Sequence, residues 1–160
     1  MKLIKYPDSI LRKVCKKIED KEYEKIYQEL IAAMISYGGI GLAAPQIGIN
    51  KRIAVVSPNA DSKMEKPLVL INPEIKNEQG KQSIEEGCLS LPGINASVPR
   101  ADKIEVETGP DEQREILIAD GLLSIVIQHE VDHLKGILFP DRLNSPKRLY
   151  YFLKARFKNK

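Results

Sequence analysis

The five residues His129-Glu130-Val131-Asp132-His133 constrain this chain more than any other stretch, because they set its only two histidines one helical turn apart with a carboxylate between them. On a helix, residues i and i+4 project from one face, so two imidazoles can reach a single ion while Glu130 is displaced toward whatever that ion activates. The pentapeptide therefore predicts a helix with a divalent-metal site on one face. Two unconnected surface histidines are the competing reading. Leu122, Ile125 and Val126 precede His129 by seven, four and three positions, so the metal face continues as an apolar one. These three side chains are either plain core or the wall of a hydrophobic pocket beside the ion, suited to an unbranched or modestly sized apolar group.

With 160 residues and 42% hydrophobic content, the chain can bury one substantial core, and it is read as a single catalytic domain over residues 1–160. Its apolar runs are broken by charge, Gly or Pro well before bilayer length, so no membrane association is expected. The opening Met1-Lys2-Leu3-Ile4-Lys5-Tyr6-Pro7-Asp8 lacks the apolar region of a secretory leader. Cys15 and Cys88 are the only cysteines, a usage that suits a reducing compartment, so the expected location is the cytoplasm. Cys15 reads as a small core residue in a basic amphipathic stretch.

The net charge of +3 is unevenly spread. Residues 147–160 carry Lys147, Arg148, Lys154, Arg156, Lys158 and Lys160 without an acid, which leaves 19 basic against 22 acidic residues elsewhere. This basic C-terminal segment, read as a helix, could attract RNA or another polyanion. Alternatively, it is a solvated helix end whose Tyr150, Leu153 and Phe157 pack on the core.

Tyr23, Ile26, Tyr27, Leu30, Ile31, Met34 and Ile35 recur with helical period until Gly38-Gly39, predicting a helix over residues 21–37. Residues 52–56, 68–72 and the strictly alternating 103–108 read as strands, and a turn around Gly109-Pro110-Asp111 leads to another at 114–118. The metal helix starts at Asp120, a favourable N-cap, runs to Leu134 and meets Gly136 as its stop. These segregated elements predict an α+β fold: mostly antiparallel sheets packed around a central metal-bearing helix, with an N-terminal and a C-terminal helix.

A catalytic site of this kind needs three protein ligands and one open position. Many H-E-x-x-H proteases draw the third from a later Glu or His, yet beyond His133 this chain offers only Asp141 as an acid and no histidine. Cys88 is the natural candidate: a soft ligand in the Gly-flanked run Glu85-Glu86-Gly87-Cys88-Leu89-Ser90-Leu91-Pro92-Gly93. A buried, inert thiol is the alternative. The run Gly39-Ile40-Gly41-Leu42-Ala43-Ala44-Pro45-Gln46 begins like a dinucleotide fingerprint, but it follows a helix instead of a strand. Its glycines let backbone approach a ligand and Gln46 offers an uncharged amide donor; a plain tight turn is the other reading.

Taken in order, Gly39 to Gln46, Glu86-Gly87-Cys88-Leu89-Ser90 and Gln128 to Gly136 resemble the three signature segments of the peptide deformylases. The likeness extends to Ile4 to Arg12, Leu70 to Glu74, Val98 to Ala101 and Ala119 to Leu123, nearly the whole chain. It implies removal of the formyl group from the formyl-methionine of new polypeptides. It also implies one divalent ion per chain, ferrous iron expected, with zinc, nickel or cobalt able to occupy the site. Cys88, His129 and His133 would hold the ion and Glu130 would move protons. Gln46 and the backbone N–H of Leu89 would meet the charge on the formyl oxygen. Ile40, Ile84, Leu122, Ile125 and Val126 match the family's side-chain pocket, Gly41 would offer backbone to the peptide, and Glu86 with Arg100 match a pair that braces the metal loop beside the substrate site. Asp132 is expected to orient neighbouring groups. The basic tail matches the helix that in some relatives docks on the ribosome. The partners implied are a formylmethionyl peptide and the ribosome, and the expected state is a monomer.

Asn95 stands where some relatives carry an arginine near the substrate backbone, and Ser124 and Val126 replace residues often Ala and Cys, which bears on peptide preference. Competing readings are a metallopeptidase or other amidase built on the same helix, a hydrolase with Cys88 as nucleophile, and a ribosome- or RNA-binding module with a structural ion.

Overall fold

Helical periodicity at one end and strand alternation in the middle place the elements in chain order, and the computed structural model describes residues 2–19 and 22–158. Helix α1 spans Tyr23–Tyr37, and strands β1 (Gly41–Ala43), β2 (Ile53–Val56) and β3 (Leu68–Ile71) follow. Next come β4 (Glu74–Gln79), β5 (Gln82–Cys88), β6 (Leu91–Arg100), β7 (Lys103–Thr108) and β8 (Glu115–Asp120). Helix α2 covers Gly121–Leu134 and α3 covers Ser145–Lys158. The expected start of the first helix at residue 21, and residues 159 and 160 of the tail, lie outside the described residues.

The strands form three sheets, β1-β2-β3, β4-β7-β8 and the hairpin β5-β6, and every named pairing is antiparallel. Ile26, Leu30 and Met34 of α1 pack on Leu42, Ile53 and Val55 of the first sheet. Leu123, Ile127 and Val131 of α2 pack on Ile104, Val106 and Ala119 of the second. On β6, Ile94, Ala96 and Val98 turn inward, where they meet Leu138, Phe139 and Ala155. From Leu123 to Leu134 every residue of α2 is buried except the half-buried His129, as expected of a helix enclosed on nearly all sides. No helix among the described residues is long and apolar enough to cross a membrane.

The structure adds four strands that residue patterns left unread. β4 and β5 are largely polar, so they lack the apolar alternation that marks a half-buried strand. In β6 the alternation exists, but Pro92, Gly93 and Pro99 interrupt it, and β1 is only three residues long. Asp120 occupies the N-cap position of α2 without capping it: no side-chain hydrogen bond is made, because the residue is extended and completes β8 opposite Lys103. The tail is also turned relative to expectation. Tyr150, Leu153 and Phe157 are 57%, 47% and 72% exposed, while Ala155 is buried and Tyr151 and Phe152 pack on the core. Both stripes of α3 are apolar, and the one chosen is the one that reaches β6 and the N-terminal segment, where Arg12 lies 4.7 Å over the Phe152 ring.

The stop after α2 behaves as its glycine implies. Gly136 adopts φ 71°, its N–H donates to the His133 carbonyl and the Ile137 N–H to that of Asp132, a Schellman closure. A Cβ there would stand 2.5 Å from the Arg12 carbonyl oxygen. Gly136→Ala is therefore expected to cost about 1–3 kcal/mol, combining left-handed strain with displacement of the N-terminal segment. The check is a urea titration showing a lower midpoint at unchanged slope.

Candidate metal centre

Two elements distant in sequence build the site. α2 supplies His129 and His133, whose rings are 4.9 Å apart in an edge-to-face arrangement at 72°. The β5-β6 hairpin supplies Cys88, at a register shift between Gly87↔Asn95 and Cys88↔Leu91. A bulge of this kind commonly re-aims a side chain beside a site. The Cys88 Sγ lies 3.3 Å from Nε2 of His133, and one donor atom from each of the three residues falls within 4.8 Å of the others. Tetrahedral ligation, with bonds of ~2.3 Å to sulfur and ~2.0–2.1 Å to nitrogen, would set S and N about 3.6 Å apart. One soft sulfur and two imidazole nitrogens at this spacing fit a single divalent ion.

Behind His129 runs a buried ionic chain. Nδ1 of His129 lies 2.9 Å from Oε2 of Glu86, and Arg100 grips the same carboxylate through Nε at 2.7 Å and Nη2 at 3.0 Å. The third Arg100 nitrogen donates to Asp132 at 2.6 Å, and Asp132 also accepts from Arg142. Burial alone would raise the Glu86 pKa, but hydrogen bonds from His129 and Arg100 outweigh it and hold the carboxyl below its ordinary range. A carboxylate only accepts, so the proton of His129 sits on Nδ1 and its Nε2 lone pair is free for an ion. Burial also lowers the proton affinity of His129, yet hydrogen bonds to Cys88 and Glu86 reverse this and raise it well above the usual imidazole value. The same negative surroundings attract a dication. His133, buried beside the other ring, is shifted well below.

Glu130 is 3% exposed, its Oε2 has no hydrogen-bond partner among the described residues, and burial pushes its pKa up to about 7. A buried carboxylate oxygen left without a donor is costly. Gly41 is what admits it: a Cβ at Gly41 would collide with the Glu130 carboxylate and come 2.9 Å from Val126 Cγ1. Gln46, 2% exposed, is anchored by the Ala43 N–H on its Oε1 and aims its Nε2 at Cys88 Sγ (3.6 Å) and Ser90 Oγ (3.2 Å).

All of this opens on a cleft of about 420 Å³ lined by Ile40, Gly41, Ile84, Glu86, Leu122, Ile125 and Val126, together with Gln46, Cys88, Leu89, His129 and Glu130. His133 stands behind the other ligands instead of lining the cleft. Among the substrate candidates, the Glu86 side chain is committed to Arg100 and His129, whereas Ile40, Ile84 and Leu122 expose apolar surface. Sequence reasoning missed Arg142, which follows the metal helix by eight residues with no periodicity to flag it. It also left Gln128 without a role. That side chain exchanges hydrogen bonds with both backbone groups of Ala101, and so fixes α2 to the segment carrying Arg100.

A Cys-His-His centre with a buried, unpaired glutamate at the end of an apolar cleft is the arrangement of a metal-dependent amide hydrolase. The model of the polypeptide deformylase family matches residues 1–149. The peptide deformylase of Picosynechococcus sp. is 46% identical over 154 residues, covering 93% of this chain and 82% of that relative. The peptide deformylase structure from Legionella pneumophila superposes with a TM-score of 0.86 at 36% identity, over 99% of this chain and 95% of that one. The one from Synechococcus elongatus, solved in complex with actinonin, gives 0.85 at 39% identity, over 99% and 86%. The chain belongs to the polypeptide deformylase family, whose reaction is the metal-dependent removal of the N-formyl group from nascent polypeptides.

The two thiols differ in a measurable way. Cys15 is 3% exposed and burial pushes its pKa up to about 11, so at pH 8 only about one in a thousand is thiolate. Iodoacetamide applied to the folded, chelator-treated protein is expected to label Cys88 and spare Cys15. Peptide mapping of the alkylated residue decides this.

Proposed function

We propose that Cys88, His129 and His133 hold one divalent ion, ferrous iron in the cell, and that Glu130 carries the protons of deformylation. The observation supporting this most strongly is the convergence of the Cys88 sulfur and two imidazoles beside an unpaired, buried carboxylate oxygen. The likeness to deformylases favours iron; the same donors accept zinc, nickel or cobalt. When bound, the ion supplies Lewis acidity toward a water molecule and the formyl carbonyl. Glu130 takes a proton from the attacking water as its oxygen joins the formyl carbon, then delivers it to the nitrogen as the C–N bond breaks, leaving formate and a free N-terminus. Gln46 Nε2 and the Leu89 backbone N–H donate to the formyl oxygen as it gains negative charge. The methionine side chain enters the apolar wall of Ile40, Ile84, Leu122, Ile125 and Val126, and Gly41 contributes backbone to the peptide. Glu86 and Arg100 act from behind by fixing His129. The enzyme works as a monomer in the cytoplasm, a reducing compartment favoured by the two free thiols, one of which must stay reduced to serve the centre.

Anaerobic assay of formate release from a formyl-methionyl peptide tests the scheme. Glu130→Gln is expected to lower kcat by about 10²–10⁴-fold at unchanged metal content. Gln46→Leu is expected to cost about 100- to 1000-fold in kcat with little change in KM. Full turnover by Glu130→Gln would overturn the assignment.

The basic face of α3 is proposed to contact the ribosome, with exposed Lys147, Arg148 and Arg156 beside exposed Leu149, Tyr150 and Phe157. Truncation is a poor test, because Ala155 and Phe152 belong to the core. Replacing Lys147, Arg148 and Arg156 by Glu should instead weaken ribosome co-sedimentation and flatten its salt dependence, while formate release from a short peptide is kept.

A further inference from the structure

The chain of charges behind His129 does not end at Arg100. Arg100 spends two nitrogens on Glu86 and one on Asp132, so its orientation depends on both carboxylates being held. Asp132 is 2% exposed and would be drawn off by any rearrangement of Arg100, but Arg142 clamps it through Nε at 3.0 Å and Nη2 on the other oxygen. The two carboxylates and two guanidiniums alternate in sign and sum to zero. Without Arg142 one buried negative charge is left over, shared between Glu86 and Asp132, with Arg100 the only cation to serve both.

Arg142 also occupies a distinctive place. It ends the short turn Phe139–Arg142 between α2 and α3, and lines a second cavity of about 260 Å³ on the side of α2 away from the substrate cleft. Its side chain is 44% exposed, so the outermost member of the chain reaches solvent while the innermost touches a metal-binding imidazole. We propose that Arg142 is a positioning residue for the metal centre: by fixing Asp132 it holds Arg100 square on Glu86, and thereby aims His129 at the ion. The proposal rests on the reading of Cys88, His129 and His133 as the ligand set. Charge alone would not suffice, because the two-pronged grip on Asp132 uses the planar geometry that guanidinium has and ammonium lacks.

The test is metal binding, independent of turnover. Apoprotein is titrated with Co²⁺ against a competing chelator, and the cobalt-thiolate charge-transfer absorption and the visible d–d bands are recorded. Arg142→Met is expected to weaken Co²⁺ binding about tenfold, the low end for groups that orient a ligand from behind. Its d–d bands should shift and broaden relative to the parent's, and, because the uncompensated charge also lowers its thermal melting as apoprotein, the titration is run well below that melting temperature, where the variant is folded. Arg142→Lys should fall between the two, and Lys135→Met, which lines the same cavity outside the chain of charges, should bind and absorb like the parent. Parental affinity and spectrum in Arg142→Met would overturn the proposal. So would an equal loss in Lys135→Met, which would make the effect one of general field. A parent protein that shows no thiolate band with Co²⁺ would instead overturn the ligand set itself.

Discussion

The structure is arranged so that one helix, enclosed on nearly every side, can still bring two imidazoles to one sulfur and a carboxylate to the edge of a single cleft. A fully enclosed helix usually carries an apolar surface all round, because polar side chains removed from water need partners. α2 departs from that rule with Ser124, Gln128, Glu130, Asp132 and His133, all buried. Most of these groups find partners in the segments around it: Gln128 and Ser124 on Ala101, Asp132 on Arg100 and Arg142. The exceptions among described side-chain atoms on α2 are Glu130 Oε2 and His133 Nδ1, both in or next to the ligand set. Polar satisfaction is thus incomplete on α2 only beside the cluster of Cys88, His129 and His133, among the described residues.

The three sheets follow from this demand. β7 and β8 take the apolar stripe of α2 formed by Leu123, Ile127 and Val131, while β1 brings Gly41 close enough to Glu130 that no side chain fits between them. The hairpin β5-β6 has the hardest task. It brings a sulfur beside His133 and, two residues earlier, a carboxylate to the back of His129, and the register shift between Gly87 and Cys88 lets one strand do both. Its partner strand supplies Arg100 fourteen residues later to neutralise that carboxylate. Ligand, orienting group and counter-charge thus come from one hairpin.

This explains which parts were legible in the residues. Helix α2 was legible because its two imidazoles stand at the helical period, and β7 because Ile104 and Val106 alternate with charge. The nearness of Cys88 to the two histidines could be expected by elimination only because the chain beyond His133 has no further His or Glu. The hairpin bearing it could not be read as strands: Glu85, Glu86, Gly87, Pro92 and Gly93 are residues that strands generally avoid, retained here because each touches the cleft or the ligands. The tail misled for a different reason. Tyr150, Leu153 and Phe157 form as good an apolar stripe as Tyr151, Phe152 and Ala155, and nothing local reveals that Arg12 and Tyr6 wait beside the second.

The opposite shifts of the two histidines follow from the same architecture. Both rings are largely withdrawn from water, so both lose solvation for a charged form, yet only His129 has a carboxylate at hydrogen-bond distance. If the two shared a neutral apolar pocket, neither would hold a cation; if both were flanked by carboxylates, protons would compete with the ion at each ring. Placing Glu86 behind one ring only gives a basic, oriented imidazole beside a ring that stays neutral. The same chain of charges sharpens that asymmetry: His129 feels the Glu86 carboxylate at hydrogen-bond distance, whereas His133 feels the positive charge of Arg100, which disfavours its protonation further.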